Sequence, residues 1–133
     1  MSWRTWASGT AVEPSIYAAD FARLGEQVSA VLAAGARVLH VDVGDGHFIP
    51  PVTFGPIVIQ AIAPLVHEAG GVLDCHLMVD NPASQIPEIA AAGADSVTFH
   101  VEVVEAADEV VELARGLGLG VGLAVNPGTP VEV

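Results

Sequence analysis

Short apolar runs alternate along the chain with longer stretches in which apolar residues recur at helical spacing. The apolar runs are rich in Val, Leu and Phe, as expected for strands covered on both faces. Each helical stretch closes at a glycine, which suits the left-handed residue that ends many helices. The pattern predicts strands at Val12–Ile16, Val38–Val43, Val72–Met78, Ser96–Val101 and Gly120–Val125. It predicts helices at Phe21–Ala34, Gly55–Glu68 (interrupted by Pro64), Ser84–Ala92 and Ala106–Leu117, with N-caps at Asp20 and Asn81.

This order of elements indicates a parallel sheet with right-handed crossovers, either an open doubly wound sheet or a (β/α)8 barrel. Polar residues fall near the ends of several successive strands, at Ser15, His40, Asp42, His76 and His100. An open sheet concentrates its site at one switch point, so this distribution favours the barrel. The sequence therefore predicts an α/β fold of the TIM-barrel type, present as an incomplete barrel that extends from the first strand to the fifth.

Composition indicates one packed domain, because 52% of the 133 residues are hydrophobic and only 15% are charged. We expect residues 1–11 to form an N-terminal leader and residues 12–133 to form the partial barrel. A single cysteine, Cys75, excludes an internal disulfide. We find neither a secretion signal nor an apolar run of membrane-spanning length, and we therefore expect a cytoplasmic protein without membrane contact.

The charge balance excludes two classes of function. The chain has four arginines, sixteen acidic residues and no lysine, and its net charge of −12 disfavours nucleic-acid binding. Without lysine, no Schiff base can form with a carbonyl substrate, so lysine-dependent aldolases are excluded. The expected ligand is a small molecule.

Two histidines and an aspartate carry the strongest chemical signal. His40 and Asp42 are two residues apart in a strand and therefore share a face, and Gly44 and Gly46 end the strand directly after them. His76 falls at the matching place on the next strand. An isolated His–Asp pair is commonly a hydrogen-bonded core pair, but two imidazoles and a carboxylate are three ligands of a divalent cation, with positions left for substrate oxygens.

Several motifs together resemble the ribulose-phosphate 3-epimerase family. They are Pro14-Ser15-Ile16, the run from His40 to Phe48, His76-Leu77-Met78-Val79, Thr98-Phe99-His100 and Asn126-Pro127-Gly128-Thr129. The resemblance covers nearly the whole chain after the first dozen residues. It implies a (β/α)8 barrel fold. It also implies an enzyme of the pentose phosphate pathway that interconverts D-ribulose 5-phosphate and D-xylulose 5-phosphate by moving a proton at C3. It also implies a divalent metal ion, commonly zinc or iron, with manganese or cobalt as further candidates.

The resemblance also implies roles for individual residues. His40, Asp42 and His76 would be metal ligands, and Asp42 would act as one acid/base group at C3. Ser15, His76 and Met78 would contact the substrate. Epimerisation needs a second acid/base group on the opposite face of C3, because one base that returns its proton to the same face regenerates the starting material.

Two departures from the family leave alternatives open. A full barrel takes about 250 residues, so the second acid/base group and the phosphate-binding loops are expected outside this chain, and its own activity stays open. One alternative is a non-catalytic half-barrel that self-associates through its sheet edges, and we expect a homo-oligomer in either case. Gly44 stands where the family typically has Met, and a looser pocket there would suit a six-carbon ketose such as allulose 6-phosphate.

Overall fold

The computed structural model describes Thr5 and residues 7–132, in which four strands alternate with four α-helices. In chain order the elements are α1 (Leu24–Ala33), β1 (Val38–Gly44), α2 (Pro56–Glu68), β2 (Val72–Met78), α3 (Pro82–Ala92), β3 (Ser96–His100), α4 (Ala107–Gly116) and β4 (Gly120–Ala124). Short 3-10 helices lie at Ile16–Ala18, Phe21–Arg23 and Val101–Val103. Part of the predicted leader, including Trp3 and Trp6, lies outside the described residues.

The sheet is entirely parallel, and its strand order β1-β2-β3-β4 follows the chain. The helices pack in the same succession, each against the next. A doubly wound sheet reverses its strand order at a switch point, whereas a barrel adds each strand beside the last. The α/β prediction is confirmed, and the four strands and their helices are consistent with part of a (β/α)8 barrel.

The first predicted strand, Val12–Ile16, is wrong in its extent. It is reduced to one parallel bridge between Ser15 and His40, supported by the His40 N–H, which donates to the Pro14 carbonyl at 3.0 Å. The Ser15 hydroxyl accepts the Tyr17 N–H and so begins a 3-10 helix directly after the bridge. A capping hydroxyl turns the backbone away from the sheet before a second ladder bond can form.

The remaining elements lie within a few residues of their predicted bounds. Asp20 and Asn81 cap as predicted, since their side chains accept the N–H groups of Ala22 and Ser84. The four glycines that follow the α-helices, Gly35, Gly70, Gly93 and Gly118, all have positive φ. The predicted interruption of α2 at Pro64 is wrong, because the helix continues through it. One lost hydrogen bond is outweighed by the apolar face that α2 buries against the sheet.

Alternation along the strands separates an apolar outer face from a polar inner face. Leu39, Val41 and Val43 of β1 are buried in the core formed with the helices, as are Leu73, Cys75 and Leu77 of β2. The residues between them face the opposite side of the sheet, away from the helices. Within the described part of the chain, no helix is long and apolar enough to cross a membrane.

Gly93 provides a test of how tightly α2 and α3 pack. Its φ is 105°, and a Cβ there would lie 2.8 Å from the Ala63 Cβ. Gly35 has nearly the same backbone, with φ 109°, but its Cβ would meet nothing within 4 Å. Each alanine pays a left-handed backbone cost of about 1–2 kcal/mol. We predict that Gly93→Ala loses about 1–3 kcal/mol more unfolding free energy than Gly35→Ala. Urea denaturation of both variants measures the difference, and equal losses would contradict the packing described.

Candidate active site

The parallel register arranges the inward-facing side chains of the first three strands in two rows. The lower row consists of His40, Asp74 and Ser96, and the upper row, nearer the carboxyl ends of the strands, consists of Asp42, His76 and Thr98. Carboxyl ends of parallel strands are where barrel folds place their chemistry. The three predicted metal ligands thus come from two adjacent strands and two neighbouring rows.

His40, Asp42 and His76 converge on a small volume. The Asp42 Oδ1 atom lies 3.2 Å from His40 Nε2 and 3.6 Å from His76 Nδ1, and one ligand atom from each residue lies within 4.8 Å of the others. Two ligand atoms bound to one divalent ion at tetrahedral angles lie about 3.3 Å apart. The donor set and its spacing therefore fit a divalent cation.

Ser15 and Thr53 hold Asp42 in place. The Ser15 hydroxyl donates a short hydrogen bond to Asp42 Oδ2, which leaves Oδ1 facing the two histidines. The Thr53 hydroxyl donates to the Asp42 carbonyl at 2.7 Å and accepts the Gly44 N–H at 2.8 Å. This role of Thr53 was not predicted, because its partner lies eleven residues away across a loop whose path the sequence does not reveal.

Asp74 is a second buried carboxylate behind the site, and it was not predicted. Its Oδ2 atom lies 3.3 Å from His40 Nδ1, while Oδ1 accepts a short hydrogen bond from the Ser96 hydroxyl. The hydrogen bond to Asp74 raises the pKa of His40, and the charges of Asp42, Asp74 and Glu13 raise it further. Desolvation lowers this pKa but does not cancel the increase. Because Asp74 accepts at Nδ1, it directs His40 Nε2 towards Asp42.

His76 has a different neighbour. Its Nε2 atom lies 2.9 Å from the Nε2 atom of His100, and the two rings stack with centroids 5.1 Å apart. Desolvation lowers the pKa of His76, and the nearby rings of His100 and His40 lower it further. A site partly shielded from water and lined by imidazoles favours neutral His76, the form that binds metal.

Glu102 extends this contact to the loop that follows β4. Its Oε2 atom lies 3.3 Å from His100 Nδ1, and its Oε1 atom accepts the Asn126 N–H at 2.5 Å. Hydrogen bonds from the Thr129 side chain and from Asn126 lower the pKa of Glu102 to about 2. Glu102 is therefore a carboxylate at neutral pH.

Gly44 does not enlarge the pocket, so that expectation is wrong. A Cβ on Gly44 would lie 2.7 Å from Ile49 Cδ1 and 2.9 Å from the Pro51 carbonyl oxygen. The space that a side chain would occupy is filled by the loop after β1. Met78 lies opposite Gly44 in the register, one inward position beyond His76 on β2.

Asp45 organises the rim of the site. Its carboxylate accepts the N–H groups of His47 and Phe48 from its own loop and the Asp80 N–H from the loop after β2, at 2.8–2.9 Å. Asp45, His47 and Asp80 also lie close enough to be considered as metal ligands, but His47 and Asp80 are exposed. The geometry supports a loop clamp, in agreement with the structural role expected of a carboxylate at a turn.

Sequence comparison agrees with the geometry of this site. A family model described as "Ribulose-phosphate 3 epimerase family" matches residues 11–133 of this chain. The chain belongs to the ribulose-phosphate 3-epimerase family. It is 41% identical over 122 residues to a ribulose-phosphate 3-epimerase of Bacillus subtilis, which covers 92% of this chain and 55% of the relative.

Two further members of the family have comparable sequence identity to this chain. Ribulose-phosphate 3-epimerase 1 of Cupriavidus necator is 47% identical over 118 residues, covering 89% of this chain and 48% of the relative. The Escherichia coli K12 ribulose-phosphate 3-epimerase is 44% identical over 121 residues, covering 91% of this chain and 53% of the relative. The chain spans about half the length of the curated relatives it matches.

The contact at Gly44 yields a stability prediction. Gly44→Ala places a Cβ against the Pro51 carbonyl oxygen, which cannot move without displacing the loop. We expect a loss of about 1–3 kcal/mol in unfolding free energy. Gly116→Ala is the matched control, because nothing lies within 4 Å of its Cβ, and alanine in a helix is neutral or stabilising by up to about 1 kcal/mol. Chemical denaturation measures both, and an unchanged Gly44→Ala would mean that the space is open after all.

Proposed function

We propose that this chain carries the metal-binding half of a ribulose-phosphate 3-epimerase, which interconverts D-ribulose 5-phosphate and D-xylulose 5-phosphate. The observation that supports this most directly is the convergence of His40, Asp42 and His76, with ligand atoms within 4.8 Å of one another at the strand ends. Family membership supports the same reaction. The named relatives are about twice as long, so the activity is proposed for the protein to which these residues contribute.

Two imidazole nitrogens and one carboxylate oxygen suit zinc or iron, and manganese or cobalt would also be accepted. When bound, the ion would stabilise the negative charge that develops on the oxygens of the enediolate formed at C2 and C3. His40 would hold it through Nε2 and His76 through Nδ1, since these are the atoms that face Asp42. The remaining coordination positions are left for substrate oxygens.

Asp42 is the proposed acid/base group on one face of C3. Its Oδ1 atom faces the two histidines, while Oδ2 is held by the Ser15 hydroxyl. A carboxylate fixed in this way is oriented before the substrate arrives, so it removes the C3 proton of one epimer with little rearrangement, while the second acid/base group delivers a proton to the opposite face. We assign substrate contacts to Ser15 and His76, and to Met78 at the end of β2.

The reaction also needs groups that the described residues do not supply. The second acid/base group has to lie on the opposite face of C3. Backbone N–H groups bind phosphate well, and barrels of this type present such groups in their later loops. We therefore assign both functions to the half of the relatives' length that this chain does not span.

A six-carbon substrate has lost its supporting observation. That alternative depended on extra space at Gly44, and Ile49 and Pro51 fill it. We therefore propose a pentulose phosphate as the substrate. Comparing the turnover of D-ribulose 5-phosphate with that of allulose 6-phosphate tests this choice directly.

The first prediction concerns the metal. His76→Ala removes one of three proposed ligands, so tight binding of one zinc ion per site should be lost. The zinc affinity should fall by more than the roughly 10–100-fold that is typical when only a hydrogen-bond partner of a ligand is removed. His67→Ala is the control, since His67 lies on α2 and pairs with Asp95 at 2.9 Å, away from the site. Zinc affinity is measured by competition with a chelator. Equal affinity in both variants would refute the metal assignment.

The second prediction concerns Asp42. Asp42→Asn should reduce exchange of the C3 proton with deuterated water by about 10²–10⁴-fold, measured at saturating metal so that weaker binding does not contribute. Asp80→Asn is the matched control, because the exposed Asp80 side chain is not among the three proposed ligands and the substitution keeps the main-chain N–H that Asp45 accepts. Exchange at the wild-type rate in Asp42→Asn would rule out Asp42 as the base. Exchange without epimer formation in the wild-type protein would identify a half-barrel that lacks its second acid/base group.

A further inference from the structure

We infer that His100, anchored by Glu102, is a positioning residue that sets the ring of His76 so that its Nδ1 atom faces Asp42. This inference rests on the proposed metal site and adds the element that determines which nitrogen of His76 takes part in it. The observation that carries it is a continuous file of polar atoms from Asp42 through His76 and His100 to Glu102.

Counting protons along this file decides the tautomers. The file has three gaps, of 3.6 Å between Asp42 Oδ1 and His76 Nδ1, 2.9 Å between the two Nε2 atoms, and 3.3 Å between His100 Nδ1 and Glu102 Oε2. When both imidazoles are in the neutral form, each carries one N–H, so one of the three gaps holds no proton. The 2.9 Å gap is a hydrogen bond and needs one.

The gap beside Glu102 needs the other proton. His100 is only 6% exposed, and its buried Nδ1 atom makes no hydrogen bond to any of the described residues. The Glu102 carboxylate 3.3 Å away is the acceptor that faces it. A proton on Nδ1 makes His100 Nε2 an acceptor, so His76 donates from Nε2.

The empty gap is then the one between His76 and Asp42. With its proton on Nε2, His76 turns the lone pair of Nδ1 towards the Asp42 carboxylate at 3.6 Å. Two acceptors that face each other repel unless a cation lies between them. The file from Glu102 thus prepares a lone pair at the position where the metal site requires one.

His100 is itself held firmly. The Phe48 ring packs against it in a tilted arrangement with centroids 4.7 Å apart. Glu102 is in turn held by the Asn126 N–H and by Thr129, so the Asn126-Pro127-Gly128-Thr129 motif after β4 anchors the far end of the file. This gives a function to a motif that the proposed reaction does not otherwise use.

His40 offers a built-in comparison. Asp74 accepts at its Nδ1 atom, so His40 presents Nε2 to Asp42 at 3.2 Å. The two histidines therefore present different nitrogens to the same carboxylate, and each choice follows from the partner behind the ring. Changing the partner behind a ring should therefore change which ring nitrogen faces Asp42.

The test combines ring-nitrogen NMR of metal-free protein with zinc affinity, in the protein at the length its source produces. His100→Phe keeps a ring against Phe48 but removes the acceptor, whereas His100→Gln places an amide oxygen near the position of Nε2. We expect His76 to carry its proton on Nε2 in the wild type, and to lose that preference in His100→Phe together with about 10–100-fold of zinc affinity. His100→Gln should restore most of both. An unchanged His76 tautomer and unchanged affinity in His100→Phe would overturn the inference.

Failure of the proposed metal site, failure of the positioning role of His100 and failure of a variant to fold can be distinguished. If the wild-type protein and His76→Ala bind zinc equally weakly, the proposed metal site fails, while the metal-free tautomer of His76 still decides whether His100 positions it. If His100→Phe does not fold, Glu102→Gln takes its place, since it removes the anchoring charge from the exposed end of the file. A Glu102→Gln protein with the wild-type His76 tautomer would then overturn the inference, and His67→Gln should change neither readout.

Discussion

The pairing of β1 with β2 in one particular parallel register is the constraint on which the site depends. That register sets His40 beside Asp74 and Asp42 beside His76. A shift of one residue would turn one strand's polar side chains into the apolar layer beneath the helices, and would place buried charges without partners. The outer apolar residues and the inner polar residues therefore specify the same register, so the packing that stabilises the sheet also brings His40, Asp42 and His76 together.

Burial gives these polar groups their chemical character. Asp74 is 6% exposed and Ser96 is fully buried, so neither side chain can exchange its partner for water. Polar groups buried in this way are held in one arrangement, because breaking any contact leaves an unsatisfied partner. Asp42 lies at the meeting point of Ser15, His40 and His76, and its two oxygens serve different neighbours.

The fold class and the grouping of the three proposed ligands could be predicted from the sequence, because both follow from local periodicity and from the order of strands along the chain. His40, Asp42 and His76 were accessible because each lies in a strand at a position that alternation defines. Asp74 and Thr53 were missed because their roles depend on the register and on the path of a loop. The first strand was overpredicted, since apolar character near Ser15 does not reveal that its hydroxyl caps a turn. The pocket at Gly44 was misjudged because the filling side chain, Ile49, belongs to that same loop.

The Asp45 clamp has a consequence for how the site meets its ligand. A single carboxylate joins the loop after β1 to the loop after β2 through three backbone N–H groups. Residues on these loops would otherwise sample many conformations, and ordering them at the moment of binding would weaken affinity. With the two loops tied together during folding, this part of the rim is ordered before a ligand arrives. Binding at this edge of the sheet would then require little ordering of these two loops, and it would select ligands by their fit to a fixed shape.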